Sequence, residues 1–188
     1  MTLGKRGSAF PALATSRLRL RAPDAADVAS YGAVLRAPNV TRFSDIPDQP
    51  RDAQVERIIR FMVKLHATGK GCGWVIEDAE SSTLIGAVRF NHFDRRARLG
   101  EIGYELHSAF WGRGMMSEAV HAVVACGHRL FGLNRIEAWT LPGNPASDRV
   151  LEKAGFHYEG TLRQRARFKG AFHDFRMFGR VAADPIPA

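Results

Sequence analysis

The sequence predicts an α+β fold arranged around a mixed β-sheet, in a single domain within a chain of 188 residues. A chain of this length can bury one core well, whereas two independent cores would be cramped. Strand and helix patterns follow one another as β-α-α, three strands, and then α-β-α-β-β, which is the layout of an α+β protein. No internal repeat or interdomain linker interrupts this order.

The first half of the domain alternates between strand-like and helical patterns. Polar and apolar residues alternate at 16–21, whereas apolar residues recur at helical spacing after Asp52. Gly69 and Gly71 end that helix, and a polar turn at 78–83 separates two apolar runs. The predicted elements are a strand at 16–21, a helix at 24–35, a loop at 37–51, a helix at 52–66, and strands at 74–77, 84–93 and 101–106.

The second half contains two helices with clear boundaries. The shorter one has Asn144 at the N-cap, Pro145 at the first helical position and Gly155 just past its end. The predicted elements are helices at 117–131 and 146–154, a strand at 136–141 and a final hairpin at 160–181. The domain is therefore expected to span residues 15–181, between a flexible lead-in at 1–14 and a tail at 182–188.

The composition argues against a membrane-spanning or disulfide-stabilised protein. The chain is 45% hydrophobic and 24% charged, and no apolar run approaches the roughly 18 residues that would cross a bilayer. Cys72 and Cys126 cannot form a disulfide framework for a domain of this size, so we expect a reducing cytoplasm. The seven histidines show no short metal-ligand spacing, and no metal is expected.

The net charge of +8 leaves a nucleic-acid-binding module open as an alternative function. Arg163, Arg165 and Arg167 alternate along one predicted strand, with Phe168 and Phe172 nearby, and such a face could contact phosphates. However, basic residues are spread along the whole chain rather than clustered, and no recognisable RNA-binding aromatic pattern occurs. An acidic acceptor or a polyanionic cofactor would explain the charge equally well.

The most informative segment is Trp-Gly-Arg-Gly-Met-Met-Ser-Glu at 111–118, between a predicted strand and a predicted helix. Gly112 and Gly114 allow the backbone to turn tightly and approach a ligand, although glycines also occur in ordinary turns. The following helix offers unpaired N–H groups and the positive end of its dipole, which favour a phosphate group. A Walker motif is absent, and too little chain follows for a Rossmann fold.

This segment and several others together resemble the GNAT superfamily of acetyltransferases, in its RimJ/RimL-like branch of ribosomal-protein N-terminal acetyltransferases. The matching motifs are Thr-Ser-Arg-Leu-Arg-Leu-Arg at 15–21, Leu-Ile-Gly-Ala-Val at 84–88, Glu-Ile-Gly-Tyr-Glu-Leu at 101–106, Trp-Gly-Arg-Gly at 111–114, Ser-Glu-Ala at 117–119, Asn-Pro-Ala-Ser at 144–147, Val-Leu-Glu-Lys-Ala-Gly-Phe at 150–156 and Glu-Gly at 159–160. The resemblance covers residues 15–181 and implies a mostly antiparallel central sheet flanked by helices.

The resemblance also implies acetyl-CoA as cosubstrate. Backbone amides at 112–117 would bind the CoA pyrophosphate, and the pantetheine arm would pair with the end of the 101–106 strand. Asn144 would contact CoA, with helix capping as its alternative role. The residues expected to bind the cofactor are Leu106, Trp111, Gly112, Arg113, Gly114, Met115, Met116, Ser117 and Asn144.

Two residues are candidates for the chemistry. By similarity to its branch, Ser147 would protonate the departing thiolate, the alternative being an ordinary helix serine. Glu101 begins a strand where GNAT enzymes often place a carboxylate, and it would accept a proton from the amine, the alternative being an exposed strand-edge carboxylate. Glu105 shares the sheet face of Glu101, whereas Tyr104 points the other way and is expected to pack in the core.

The resemblance predicts transfer of the acetyl group to a primary amine by direct attack in a ternary complex. An α-amine is favoured over lysine as acceptor because it is easier to deprotonate near neutral pH. The acceptor would be a protein N-terminus or a small amine, and a homodimer is among the open oligomeric states. A CoA-binding protein without catalysis is a second alternative, which activity with any amine would distinguish.

Overall fold

The structure is a computed structural model that describes residues 9–185, so the predicted lead-in and tail lie partly outside the described residues. The described part contains eight strands: β1 Leu13–Ala14, β2 Leu18–Arg21, β3 Cys72–Asp78, β4 Leu84–Asp94, β5 Leu99–Leu106, β6 Arg135–Thr140, β7 His157–Phe168 and β8 Ala171–Val181. Its four α-helices are α1 Asp27–Arg36, α2 Asp52–Thr68, α3 Met115–Arg129 and α4 Pro145–Lys153.

The eight strands form one mixed sheet in the order β1-β2-β3-β4-β5-β6-β8-β7. Every neighbouring pair is antiparallel except β5 and β6, which are parallel and are joined through α3. Parallel neighbours need such a crossover, because a short turn can only reverse the chain. This topology confirms the predicted α+β fold with a mostly antiparallel sheet.

Helices cover both faces of the sheet and bury two apolar clusters. On β3, Trp74 and Ile76 belong to the cluster beneath α3 and α4, whereas Val75 belongs to the cluster beneath α1 and α2. Successive residues of a strand point to opposite faces, so one apolar strand can serve both cores. The β5–β6 junction lies near the middle of this two-faced sheet.

Some boundaries differ from the prediction for local reasons. Helix α1 begins at Asp27 rather than Asp24, because Asp24 Oδ1 accepts from the Ala26 N–H (2.7 Å) and forms a turn before the helix. Within the predicted lead-in, Leu13–Ala14 pairs with β2, and the Pro11 carbonyl accepts from Trp74 Nε1 at 2.7 Å. Strand β1 has only two residues, so the sequence shows no alternation of polar and apolar residues there.

The β7–β8 hairpin contains a bulge that the sequence did not reveal. Leu162 pairs with Phe175 and Ala166 with His173, so residues 163–165 lie opposite the single residue 174. The bulge interrupts the strict alternation expected for Arg163, Arg165 and Arg167, although all three side chains are exposed. The three arginines therefore lie on one strand, as expected, but the bulge interrupts their regular alternation.

Candidate active site

A cavity opens where β5 and β6 separate. The two strands pair at three positions, Leu99 with Arg135, Gly100 with Ile136 and Glu101 with Glu137. Beyond Glu101, no further pair joins them among the described residues, although β5 continues to Leu106. The gap opens into a cavity of about 920 Å³, which is lined by both strands and by the N-terminal ends of α3 and α4.

One end of the cavity is formed by the glycine loop before α3. Gly112 and Gly114 both have φ of +74°, in the left-handed region that favours glycine. The first bond within α3 runs from the Glu118 N–H to the Gly114 carbonyl (3.0 Å), so the N–H groups before it lack helical acceptors. The side chains of Met115 and Met116 belong to the buried core, and both residues also line the cavity.

Arg113 is placed differently from the other predicted loop residues. It does not line the cavity, and its guanidinium carbon lies 5.5 Å from the centre of the Phe110 ring. Its carbonyl instead accepts from Arg17 Nη1 at 3.0 Å. In this structure Arg113 therefore contributes backbone geometry to the loop rather than charge to the cavity.

An ion pair between Arg17 and Glu118 holds this loop against the start of β2. Glu118 accepts from the Arg17 N–H (3.1 Å) and from Arg17 Nε (2.7 Å). Burial opposes the charge on Glu118, but hydrogen bonds from Thr15 and Arg17 outweigh that effect and lower the pKa of its carboxyl group. The motifs at 15–21 and 117–119, which are far apart in the sequence, are thus joined through Glu118.

Leu106 and Trp111 lie next to this loop and line the cavity together. The indole Nε1 of Trp111 donates to the Leu106 carbonyl at 2.8 Å. A carbonyl oxygen has two lone pairs, so Leu106 can still accept from a second donor. Trp111 is also 46% exposed to solvent.

The predicted capping of α4 is confirmed. The Asn144 side chain accepts from the Ser147 N–H at 3.3 Å, with Pro145 at the first helical position. This geometry places Ser147 in the first turn, and both Asn144 and Ser147 line the cavity. Ser147 Oγ lies 2.8 Å from the hydroxyl oxygen of Tyr104.

Tyr104 packs against the core cluster as predicted, but its hydroxyl group reaches the cavity. Burial raises the pKa of this phenol, and hydrogen bonding with Ser147 only partly offsets the effect. The alternation along β5 correctly gave the face of the side chain. The sequence gave no sign that the hydroxyl meets Ser147, 43 residues later.

Glu101 lies where β5 and β6 begin to separate and lines the cavity. Its Oε1 accepts from Asn91 Nδ2 at 3.2 Å, and Asn91 Oδ1 accepts from Arg89 Nε at 2.8 Å. The carboxylate is half-buried, and Oε1 is held by the Asn91 amide. This position makes Glu101 accessible to a ligand in the cavity.

Glu105 is held in a different way. Its carboxylate is buried, accepts two bonds from Arg89 (2.6 and 2.8 Å), and accepts a third from the Tyr31 hydroxyl (3.0 Å). Burial by itself would lower the pKa of the Arg89 guanidinium. The negative charge and the hydrogen bonds of Glu105 outweigh that effect, so the pKa is raised. The sequence indicated neither Arg89 nor Asn91, because their partners lie on other strands.

The opposite end of the cavity is formed by the 37–51 loop and α2. Val40, Phe43, Ile58 and Phe61 line it with apolar surface. The loop is also tied to the β7–β8 turn, since Lys169 Nζ donates to the Thr41 carbonyl at 2.7 Å. Helix α4, the sheet and this loop thus enclose the cavity from three sides.

Two classes of feature are absent from the described residues. No helix in residues 9–185 is long and apolar enough to cross a membrane. Over the same range, no three His, Cys, Asp or Glu side chains are grouped so that they could hold a metal ion.

Comparison with known proteins gives consistent matches. A family model described as an acetyltransferase (GNAT) domain matches residues 17–157. An uncharacterised N-acetyltransferase, YoaA of Bacillus subtilis strain 168, is 34% identical over 172 residues, which cover 92% of this chain and 97% of YoaA. The ribosomal-protein-serine acetyltransferase of Escherichia coli K12 is 27% identical over 130 residues, covering 69% of this chain and 72% of that protein.

Solved structures show the same fold. RimL, a ribosomal L7/L12 α-N-protein acetyltransferase solved in complex with coenzyme A, superposes with a TM-score of 0.80 at 24% identity. The superposition covers 89% of this chain and 95% of the RimL chain. At this identity the likeness establishes the architecture, in agreement with the strand order described above.

Proposed function

The chain belongs to the GNAT acetyltransferase family and is an N-acetyltransferase, and from this premise we propose that it transfers the acetyl group of acetyl-CoA to a protein N-terminal α-amine. The observation that carries the proposal is the cavity between β5 and β6, which combines the α3 amides, Ser147 and Glu101 around one opening. Relatives named for acetylating ribosomal-protein serine and alanine residues support this acceptor class. A small-molecule amine is the alternative acceptor.

The two ends of the cavity suit the two substrates. The amides at Gly112–Ser117, at the positive end of α3, would hold the CoA pyrophosphate without need of a side-chain charge. Asn144 would contact the pantetheine arm through its free amide group, since its oxygen already caps α4. The 37–51 loop and Phe61 would face the acceptor.

In the proposed reaction, the amine nitrogen attacks the thioester carbonyl, a C–N bond forms, and the C–S bond breaks. The nitrogen must first lose a proton from its ammonium form, and Glu101 or a water beside it would accept that proton. Deprotonation at pH 7 costs about 1.4 kcal/mol for an α-amine of pKa near 8 but about 4.6 kcal/mol for lysine. The lower cost favours the α-amine.

The proposal is tested first by thermal unfolding with acetyl-CoA, using ATP and NAD as controls. A ligand at 100 times its dissociation constant adds about 2.7 kcal/mol of stability, which raises the midpoint by several degrees. A shift with acetyl-CoA alone is expected, and a larger shift with NAD would overturn the cofactor assignment.

The acceptor is tested next by release of free CoA thiol in the presence of peptides. Peptides with a free N-terminus should be acetylated, whereas the same peptides with a blocked N-terminus and a free lysine should react far more slowly. Equal rates would refute the preference for α-amines. Binding of acetyl-CoA without transfer to any amine would instead indicate a non-catalytic CoA-binding protein.

A further inference from the structure

The contact between Tyr104 and Ser147 joins two elements at the cavity wall. The Tyr104 hydroxyl oxygen lies 2.8 Å from Ser147 Oγ and 3.3 Å from the Ser147 carbonyl oxygen. Tyr104 lies on β5 and Ser147 in the first turn of α4, and both line the cavity. The hydroxyl pair therefore stands between the sheet and the helix, beside the gap where β5 and β6 separate.

We propose that Tyr104 is a positioning residue, which donates to Ser147 Oγ and so directs the Ser147 hydroxyl proton at the sulfur of coenzyme A. The inference rests on the proposed function, because it requires coenzyme A to occupy this cavity. It assigns to Tyr104 a role beyond packing, and it makes the two hydroxyls a single hydrogen-bonding unit.

Each of the two hydroxyls carries one proton, so the hydrogen bond between them can run in either direction. In the first, Tyr104 donates to Ser147 Oγ, and the Ser147 proton is free to point into the cavity. In the second, Ser147 donates to the Tyr104 oxygen while Tyr104 donates to the Ser147 carbonyl, and no proton faces the cavity. The distances favour the first arrangement, since 2.8 Å is ordinary for O–H···O and 3.3 Å is long.

The pair cannot act as a net proton donor to the sulfur. An alkyl thiol has a pKa of about 8.5 and a tyrosine about 10, so transfer from Tyr104 to the thiolate is disfavoured by roughly 30-fold even in water. Burial raises the pKa of Tyr104 further, which increases this penalty. The hydroxyls therefore stabilise the leaving thiolate by hydrogen bonding, while the acceptor amine supplies the proton that the thiol finally carries.

Charged side chains next to the pair in sequence or in the cavity lining would also act on a bound thiol. Asp148 is the nearest in sequence, and it accepts from Thr140 Oγ1 at 2.7 Å and lies 3.2 Å from Arg176 Nε. Asp148 does not line the cavity; the charged side chains that do are Arg42, Asp45, Arg89, Glu101, Glu105, Arg149 and Lys153. All of these remain when only a hydroxyl is removed, so hydroxyl-free variants isolate the contribution of the pair.

The test is a pH titration of coenzyme A bound to the protein, followed by the ultraviolet absorbance of the thiolate. The same protein saturated with desulfo-coenzyme A, which lacks the thiol, serves as the blank. In the wild-type protein the midpoint should lie below that of free coenzyme A, because a hydrogen bond to the thiolate favours the charged form. Ser147→Ala should raise the midpoint. Tyr104→Phe should raise it too, by an amount that corresponds to an acid dissociation constant of the thiol about 3- to 10-fold smaller.

The double variant distinguishes a single unit from two independent groups. If Tyr104 acts through Ser147, the variant carrying both Tyr104→Phe and Ser147→Ala should have the same midpoint as Ser147→Ala alone. Additive shifts would overturn the proposal, and so would a Tyr104→Phe midpoint equal to that of the wild-type protein. An unchanged midpoint in Ser147→Ala would overturn it as well.

Folding and coenzyme A binding are checked for each variant by thermal unfolding with and without coenzyme A. Tyr104→Leu provides a second hydroxyl-free variant if Tyr104→Phe does not fold. A wild-type protein that does not bind coenzyme A refutes the proposed function and this inference together. Binding with a normal thiol midpoint refutes the inference alone and leaves the proposed function standing.

Discussion

Glu101 and Glu105 lie four residues apart on β5, but their carboxylates have different surroundings. Glu105 is buried and accepts from both Arg89 and Tyr31, whereas Glu101 is half-buried and accepts from Asn91. A carboxylate with two charge-assisted partners is costly to free, so Glu105 stabilises the sheet and α1 rather than accepting a proton. Glu101 is the carboxylate that can reach an amine in the cavity.

We predict that Glu101→Gln lowers the rate of acetyl transfer at saturating acetyl-CoA by about 100-fold, which is the usual contribution of a general base. Because the amide is isosteric with the carboxylate, the thermal shift with acetyl-CoA should be unchanged. Glu80→Gln, at an exposed position, is the matched control. A wild-type rate in Glu101→Gln would show that water alone accepts the proton.

At the scale of elements, the glycine loop and α3 depend on backbone conformation more than on side chains. Gly112 and Gly114 adopt left-handed conformations, and Arg17 clamps the loop through Glu118 and the Arg113 carbonyl. The N–H groups of the loop and first helical turn are thus fixed before any ligand arrives. Such preorganisation reduces the ordering cost of binding a phosphate group.

We predict that Gly112→Ala weakens acetyl-CoA binding at least several-fold, whereas Gly170→Ala does not. Gly112 and Gly170 have φ of +74° and +80°, and an added Cβ would meet nothing within 4 Å at either position. Both variants should therefore lose about 1 kcal/mol of stability from backbone strain alone. Urea unfolding measures that loss, and calorimetric titration with acetyl-CoA measures binding; equal affinities would contradict the role of the loop.

At the scale of the whole molecule, ion pairs join elements that are far apart in the sequence. Glu118 joins α3 to β2, and Glu159 on β7 bonds to Arg135 on β6. The hydrogen bond from Arg135 lowers the pKa of Glu159, and the hydrogen bonds from Thr15 and Arg17 lower that of Glu118 against the effect of burial. These pairs tie the start of β2 to α3 and the edge strand β7 to β6.

We predict that stability falls in acid as these pairs are lost. A carboxyl group whose pKa is lowered by folding stabilises the protein above its ordinary value of 4.5, and that contribution disappears as the pH falls through the folded value. Urea unfolding between about pH 6 and about pH 3 should show this decline. Glu118→Gln should reduce the decline, and an unchanged pH dependence would contradict the prediction.

Local patterns were sufficient for the elements but not for all of their details. The capping of α4 and the turn glycines at 112 and 114 followed from residue type and spacing, because such signals act within a few residues. The bulge at 163–165 and the later start of α1, at Asp27 rather than Asp24, were missed. Both depend on particular hydrogen bonds, which periodicity does not report.

The sequence by itself determined the α+β fold, the order of its elements, the glycine loop before α3 and the family resemblance. Only the tertiary structure decided which polar side chains meet: Asn91 with Glu101, Arg89 with Glu105, and Tyr104 with Ser147. It also decided that β5 and β6 separate after Glu101 and open a cavity between them. Turns and caps are local and can be read from neighbouring residues, whereas these contacts depend on strand register and helix placement across the whole sheet.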